Sequence, residues 1–188
     1  MSFFHRKPAG PPQEDLANLK VTDARVGDTL SVTGAAEDFS DIDFTVDRVD
    51  QYEAGEHRWV ELSGMWRDRR VFLEVHNELA PEVYGNFDAR RYTLDELGLS
   101  EQDLGDIDER QNQADFFDWN GKFWMYRSSR EMGVFTAGSD MGKGLYCWRF
   151  QEQDGKRFLT IRKSEGEPFT ALLWNKLEAS DVTVFRGS

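Results

Sequence analysis

Two histidines and two glutamates lie on neighbouring segments of the chain, with a spacing that could bring them together. His57 and Glu61 belong to one segment, and Glu74 and His76 belong to the next. Imidazole nitrogens and carboxylate oxygens are groups that ligate divalent metals or act as a general acid and base. If the two segments pair as adjacent strands, a metal site or a proton-transfer site becomes chemically feasible.

A β-hairpin is the element that would position these groups. Residues 57–62 and 71–76 alternate in polarity with a period of two, which is typical of strands that bury one face. A loop centred near Trp66 makes opposing residue numbers add up to roughly 133, and this register sorts the side chains onto an apolar face and a polar, aromatic face. The apolar face has Val60, Leu62, Val71, Leu73 and Val75, and the other face has His57, Trp59, Glu61, Phe72, Glu74 and His76.

We predict a ligand or partner surface on the polar, aromatic face. The metal or acid–base interpretation competes with a simpler one, in which the polar groups are solvated and Trp59 and Phe72 pack against the other half of the chain or the linker. A one-residue slip in register would disperse the set. No catalytic residue, metal ligand or cofactor-binding residue is assigned. The predicted surface consists of His57, Trp59, Glu61, Glu74, His76 and Trp66.

The rest of the chain contains clear turn and helix signals. Asn120-Gly121 and Asp154-Gly155 each separate two strand-like segments, and both dipeptides supply the positive φ angles that tight hairpin turns require. Between the halves, Thr93 is placed as the N-cap of a short helical segment and Gly98 as the end of its first helix. The sequence therefore predicts two hairpins in the second half and a helical connector before them.

The two halves resemble each other, which predicts an internal duplication. Trp59 precedes Phe72-Leu73 by one hairpin, and Trp148 precedes Phe158-Leu159 in the same way. We therefore predict a mainly β fold of two tandem, related antiparallel β modules, each a small sandwich or a partly open barrel, with short helical turns in the connector. The predicted divisions are a flexible N-terminal tail (1–18), a first β module (19–98), a connector (99–113) and a second β module (114–188).

Composition limits the classes of partner. With 23 Lys and Arg against 35 Asp and Glu, the formal net charge is −12, which repels nucleic acid. The single cysteine, Cys147, allows no internal disulfide and suits a reducing cytoplasm. The chain has no apolar run typical of a signal peptide or a membrane span, although Phe3 and Phe4 beside two cations could touch a membrane or a partner.

Short motifs in both halves carry a family resemblance. They are Val26-Gly27-Asp28, Trp59-Val60-Glu61-Leu62 and Val71-Phe72-Leu73-Glu74-Val75 in the first half, and Tyr146-Cys147-Trp148-Arg149-Phe150, Phe158-Leu159-Thr160-Ile161 and Asp181-Val182-Thr183-Val184 in the second. Together they resemble the bacterial domain of unknown function 4178, in two tandem copies over residues 19 to 186. That family has no assigned activity. Its members are encoded beside phage-shock-type membrane-remodelling proteins, polyamine-synthesis enzymes and ion channels, which implies a cytoplasmic accessory role in envelope stress.

Three functions remain open from the sequence. The leading hypothesis is a non-enzymatic interaction protein that presents an acidic, aromatic surface to a protein partner, such as a membrane-remodelling protein. One alternative is a binder of a small cationic ligand such as a polyamine, held by charge and by cation–π contacts. The other is a metal-dependent enzyme that uses the face with His57, Glu61, Glu74 and His76. No cofactor is expected, and the oligomeric state is left open.

Overall fold

The structure, a computed structural model, describes residues 19–77, 79–137, 139 and 141–187. The protein is mainly β, with 55% of the described residues in strands and 12% in helices and 3₁₀ turns, which confirms the predicted fold class. The predicted N-terminal tail, including Phe3 and Phe4, lies outside the described residues. In the part of the chain that is described, none of the helices has the length and apolarity needed to cross a bilayer.

Five strands form the first half. Each pairs antiparallel with the next along the chain, so this half is a meander of hairpins. Burial alternates along the long second strand, as expected for a strand with one face in a core. The strands are β1 (Thr29–Val32), β2 (Ile42–Ala54), β3 (His57–Trp66), β4 (Arg69–Asn77) and β5 (Pro81–Asn86).

Two helices link the halves. Thr93 caps the first helix as predicted, because its hydroxyl accepts a hydrogen bond from the backbone N–H of Glu96, and Gly98 ends that helix with a φ of 70°. The helices are α1 (Leu94–Leu97) and α2 (Glu101–Arg110), and the strands that follow are β6 (Phe116–Trp119), β7 (Lys122–Phe135), β8 (Lys143–Glu152), β9 (Arg157–Ser164), β10 (Thr170–Leu177) and β11 (Val182–Phe185).

Within the described residues, eleven strands form a single antiparallel sheet that closes on itself in part. Its order is β11-β1-β2-β3-β4-β5-β10-β9-β8-β7-β6. The end of β2 also pairs with β7, where Tyr52 lies opposite Val134 and Glu53 lies opposite Gly133. This pairing closes eight strands into a ring, namely β2, β3, β4 and β5 from the first half and β7, β8, β9 and β10 from the second. The two halves therefore share one ring.

The outer faces of the ring carry two separate apolar cores. In the first, β1, β11 and the beginning of β2 cover the outer face of β3 to β5. In the second, the two helices, β6 and the beginning of β7 cover β8 to β10. Because side chains alternate along a strand, the apolar residues turn outward into these cores and a different set lines the ring interior. Representative core residues are Leu30, Phe44 and Leu73 in the first, and Leu104, Trp124 and Ile161 in the second.

Several contacts cross the predicted domain divisions. Helix α2, in the predicted connector, buries Leu104 and Ile107 in the second core. Strand β11, at the end of the predicted second module, pairs with β1 of the first. The chain therefore returns to its starting module to complete that sheet.

The two predicted hairpins are both present. Asn120 and Gly121 form a two-residue turn between β6 and β7, with φ angles of 53° and 67° that match the requirement for positive φ at both positions. Strands β8 and β9 are instead joined by four residues, 153–156, and of the central pair only Gly155 has a positive φ, of 78°. The longer connection removes the need for a second left-handed residue.

Candidate functional site

The hairpin of β3 and β4 places most of the predicted site residues on one face. Trp59 lies opposite His76, and Glu61 lies opposite Glu74. The opposing numbers add up to 135 in each pair, so the register is two residues away from the one expected, and a shift by an even number leaves the faces unchanged. His57 precedes Trp59 by two residues and is exposed.

Trp66 is not part of that set. Strand β3 continues as far as Trp66, which pairs with Arg69, so the turn falls on residues 67 and 68 rather than around Trp66. Trp66 is 9% exposed and packs in the first apolar core. The two faces of the strand thus separate it from the other predicted residues.

The shared face points into the ring. Its contacts with an arginine from the other half of the chain show this orientation. Strand β9 is not adjacent to β2, β3 or β4 in the sheet, yet Arg162 of β9 contacts all three. Its Nη2 lies 2.8 Å from Glu74 Oε1 and 3.2 Å from Glu61 Oε2, and its Nη1 donates to the Tyr52 hydroxyl at 3.0 Å. Contacts of this kind can only cross the ring interior.

This charged centre is buried. The Arg162 side chain is 15% exposed, and those of Glu61 and Glu74 are 6% and 5% exposed. The interpretation of this face as a solvated surface is therefore wrong for the two carboxyls, because ring closure removes water from a face that an open sheet would expose. A buried ion pair needs good geometry and further hydrogen bonds to offset desolvation, and Tyr52 supplies one to Glu61 at 3.3 Å.

Arg162 pairs with both carboxylates, and the pKa values of the two carboxyls are shifted in opposite directions. Burial raises the pKa of Glu61 above its ordinary value, because the opposing effect of Arg162 does not fully compensate for it. Burial also acts to raise the pKa of Glu74, but nearby His76, Arg162 and Arg149 outweigh it and hold that pKa below its ordinary value. Glu74 is thus the better stabilised anion of the pair.

A row of aromatic rings forms one wall of the interior. Tyr52 stacks on Trp59 with centroids 5.5 Å apart, and Trp59 stacks on His76 at 5.0 Å. Edge contacts then continue from His76 to Tyr84 at 5.6 Å and from Tyr84 to Phe158 at 5.1 Å. Trp59 is therefore held between Tyr52 and His76, and His76 is held between Trp59 and Tyr84.

Beside the charged centre the ring leaves a pocket of about 190 Å³. Trp59 Nε1 and His76 Nε2 are both buried without a hydrogen-bond partner among the described residues, although His76 Nε2 lies 3.5 Å from Glu74 Oε2. A buried polar atom without a partner is costly, and a bound molecule could satisfy it. Both halves of the chain line the pocket, through His57, Trp59, Glu74, His76, Ser128, Arg130, Met132, Cys147, Arg149, Thr160 and Arg162.

The contribution of the second half was missed in the sequence. Arg130, Arg149 and Arg162 lie on β7, β8 and β9, far along the chain from the hairpin that carries the glutamates. The period-two series Phe158, Thr160, Arg162 was the available signal, since it marks a polar and aromatic face like that of β3. Without knowledge of ring closure, that face could not be assigned to the same interior.

Metal binding finds no support in this arrangement. Within the described ranges, no cluster of three or more His, Cys, Asp or Glu is placed to hold a metal ion. Glu61 and Glu74 are already paired with Arg162, so a metal would have to displace an arginine. Cys147 lines the pocket, but burial raises the pKa of its thiol to about 11, which opposes formation of the thiolate that binds metals or attacks substrates.

Comparison with known proteins does not assign this site. The resemblance to the domain of unknown function 4178 stays a prediction. No protein-family model, no curated protein and no solved structure matches the chain.

Proposed function

We propose that this protein is a non-enzymatic binding protein that holds a small molecule inside its ring of strands. The observation that carries the proposal is the polar pocket between the two halves, which is distinct from the two apolar cores on the outer faces of the ring. Binding sites are commonly concave, with a few convergent polar groups set among aromatic and apolar walls. The pocket has all of these features.

Screening by thermal shift tests this proposal. A ligand present at one hundred times its Kd adds about 2.7 kcal/mol to the free energy of unfolding, which is a readily measured shift in Tm. The screen should span neutral, cationic and anionic small molecules together with divalent metals. At least one small molecule is expected to raise Tm.

The only cysteine of the chain then locates the bound molecule. Cys147 lines the pocket, so a ligand seated there is expected to slow alkylation of its thiol by N-ethylmaleimide, measured at alkaline pH because burial raises the pKa of that thiol to about 11. Substituting Ser128→Trp should fill the pocket and abolish the shift, whereas Ser31→Trp, on a strand outside the ring, should leave it unchanged. A screen without any stabilising molecule, or one whose hits leave Cys147 alkylation unaffected, would contradict the proposal.

A docking surface for a protein partner is the second candidate. Phe116 and Phe123 are 55% and 44% exposed, and their rings meet edge to face with centroids 5.1 Å apart. They lie on β6 and β7. Among the described strands β6 ends the sheet, so one of its edges is unpaired there and offers a template for an added strand. A cytoplasmic accessory role beside envelope-stress proteins rests on the family resemblance alone.

Co-purification tests this second candidate. A partner recovered with the natural chain should be lost with Phe123→Ser and kept with Phe39→Ser, a change at another exposed phenyl group. Recovery of no specific partner, or equal recovery with both variants, would count against a docking surface at Phe116 and Phe123.

Internal duplication is a further proposal, and three features support it. Strands β1 to β5 and β6 to β10 follow the same order, short strand first and long strand second. Both long strands have a bulge, at Asp47 and at Arg127, 80 residues apart. Where the long strands pair, Glu53 lies opposite Gly133, again 80 residues apart. Antiparallel pairing of equivalent residues is what a two-fold axis between copies requires.

A further inference from the structure

We propose that the pocket takes a small organic anion, with a carboxylate or phosphate group held by Arg149 and Arg130. This inference rests on the proposed function, since it names the chemical class of the ligand in the same pocket. The choice of an anion follows from the net charge of the pocket lining, which is positive, whereas the net charge of the whole chain is −12.

Arg149 is the first guanidinium available to an anion. Its guanidinium carbon lies 4.4 Å from the ring centroid of Tyr84 and 4.7 Å from that of Phe158, so two aromatic faces hold it in place. Among the described residues, no carboxylate lies within ion-pair distance of it. A fixed, half-buried arginine whose guanidinium forms no ion pair with a described acid is prepared for an external carboxylate or phosphate, which its planar fork matches.

Arg130 provides the second guanidinium that is available to an anion. It lies opposite Cys147 across the β7–β8 pair, so its side chain belongs to the pocket face, and it is exposed at the opening. The structure gives it no ion pair with a described acid either. Two arginines that form no ion pair with a described acid thus line one pocket of a chain with 35 acidic residues against 23 basic ones.

The local charge balance favours an anion over a polyamine. Arg130, Arg149 and Arg162 provide three positive charges, whereas Glu61 and Glu74 provide two negative ones, both already in contact with Arg162. The net charge at the pocket is therefore positive, although the chain carries −12. A cation would have to enter past two guanidiniums that form no ion pair with a described acid, and the field at short range outweighs distant, screened surface acids.

Size and neutral donors restrict the anion further. The pocket volume of about 190 Å³ lies below the usual range for drug-sized ligands, so the occupant is small. Trp59 Nε1 is buried and has no hydrogen-bond partner in the described part of the chain, and Ser128 also lines the pocket. The indole N–H of Trp59 and the hydroxyl of Ser128 can donate hydrogen bonds to oxygen atoms of a ligand, and so can the guanidiniums of Arg130 and Arg149. The donor-rich lining fits a ligand rich in acceptors.

Four small probes separate the alternatives by calorimetry at low ionic strength. Succinate, succinamide and putrescine share a four-carbon chain and are anionic, neutral and cationic, and inorganic phosphate represents the other oxyanion. We expect succinate or phosphate to bind and the other two to fail. Arg149→Met should weaken the binding anion about tenfold or more, as loss of a charge-assisted contact does. Arg130→Met, at an exposed position, should weaken it without risk to folding, and Arg91→Met, exposed elsewhere, should change it less than about twofold.

The outcomes are distinguishable from those of the proposed function. Binding of succinamide or putrescine in preference to the anions would overturn the inference and leave a small-molecule binding protein in place. Anion binding that is equally strong in Arg149→Met and Arg130→Met would also overturn it. If none of the four probes binds, the inference falls, and the broad screen with Cys147 alkylation then decides whether the pocket binds a small molecule of another class.

Discussion

Replacing Arg162 by methionine is expected to lower the free energy of unfolding by about 3–5 kcal/mol, the usual cost of removing one partner from a buried ion pair. Glu61 and Glu74 would stay buried across the ring without the guanidinium that now contacts both. Urea denaturation at neutral pH measures the loss. In the neighbouring change Lys163→Met, the ammonium group contacts the Glu167 carbonyl and the Phe169 ring among the described residues, and its loss should cost little.

The sign of the pH dependence follows from the two carboxyls. Loss of Arg162 removes a cation that lowers the pKa of both carboxyls, most of all that of Glu61, whereas Glu74 keeps His76 and Arg149 nearby. Protonation of Glu61 would then relieve the variant, so its deficit should shrink as the pH falls through the pKa of Glu61. In the natural chain, the pKa of Glu61 is raised, so its charge costs stability above that pKa and acidification recovers it. The pKa of Glu74 is lowered, so its contribution is lost only as the pH falls through the lower value.

Two isosteric variants check that difference. At neutral pH, Glu61→Gln is expected to leave stability unchanged or raise it, whereas Glu74→Gln should lower it by about 1.5–3 kcal/mol through loss of a charged hydrogen bond. Equal stability of Arg162→Met and the natural chain, or equal effects of the two glutamine variants, would show that the ring centre is not organised as described.

The second large effect is expected at Gly64. A Cβ atom at this position would lie 2.1 Å from the carbonyl oxygen of Thr45 and 2.7 Å from Cδ2 of Phe44. The first of these is backbone, which cannot move aside by changing rotamer. Gly64→Ala is therefore expected to cost at least the 1–3 kcal/mol typical of an overpacked core, with urea denaturation as the measurement. The contact arises where β2 passes close over β3, next to the bulge at Asp47.

Gly105 provides the matched control. It lies inside α2, and a Cβ atom there would meet no atom within 4 Å. Gly105→Ala should stabilise the protein by about 0.5–1 kcal/mol, because alanine has the higher helix propensity. Replacement of glycine by alanine is thus expected to lower the free energy of unfolding at position 64 and to raise it at position 105. A mild or favourable effect of Gly64→Ala would mean that β2 does not approach β3 as closely as described.

Local features were predictable from the sequence because their causes are local. The shared face of His57, Trp59, Glu61, Glu74 and His76 follows from the period of two, which survives a register error of two residues. The N-cap at Thr93 and the turn at Asn120-Gly121 follow from short-range hydrogen bonding and backbone preference. None of these requires knowledge of the rest of the chain.

The ring interior was not predictable, because it depends on contacts between distant segments. Arg162 meets Glu74 across 88 residues of sequence, and closure rests on a short pairing between β2 and β7. No local pattern distinguishes a polar strand face turned to water from one turned into a ring. The position of Trp66 was missed for a simpler reason, since the turn lies one residue later than expected and the strand continues through it.

A double-mutant cycle between Arg162 and Glu74 tests the central claim most directly. The free energy of unfolding would be measured for the natural chain, Arg162→Met, Glu74→Gln and the combined variant. We expect an interaction energy of about 1.5–3 kcal/mol, as for a hydrogen bond between charged groups and in the upper part of the range for residues that share one network. Additivity within about 0.5 kcal/mol, the behaviour of sites that do not touch, would contradict a ring whose two halves meet through this ion pair.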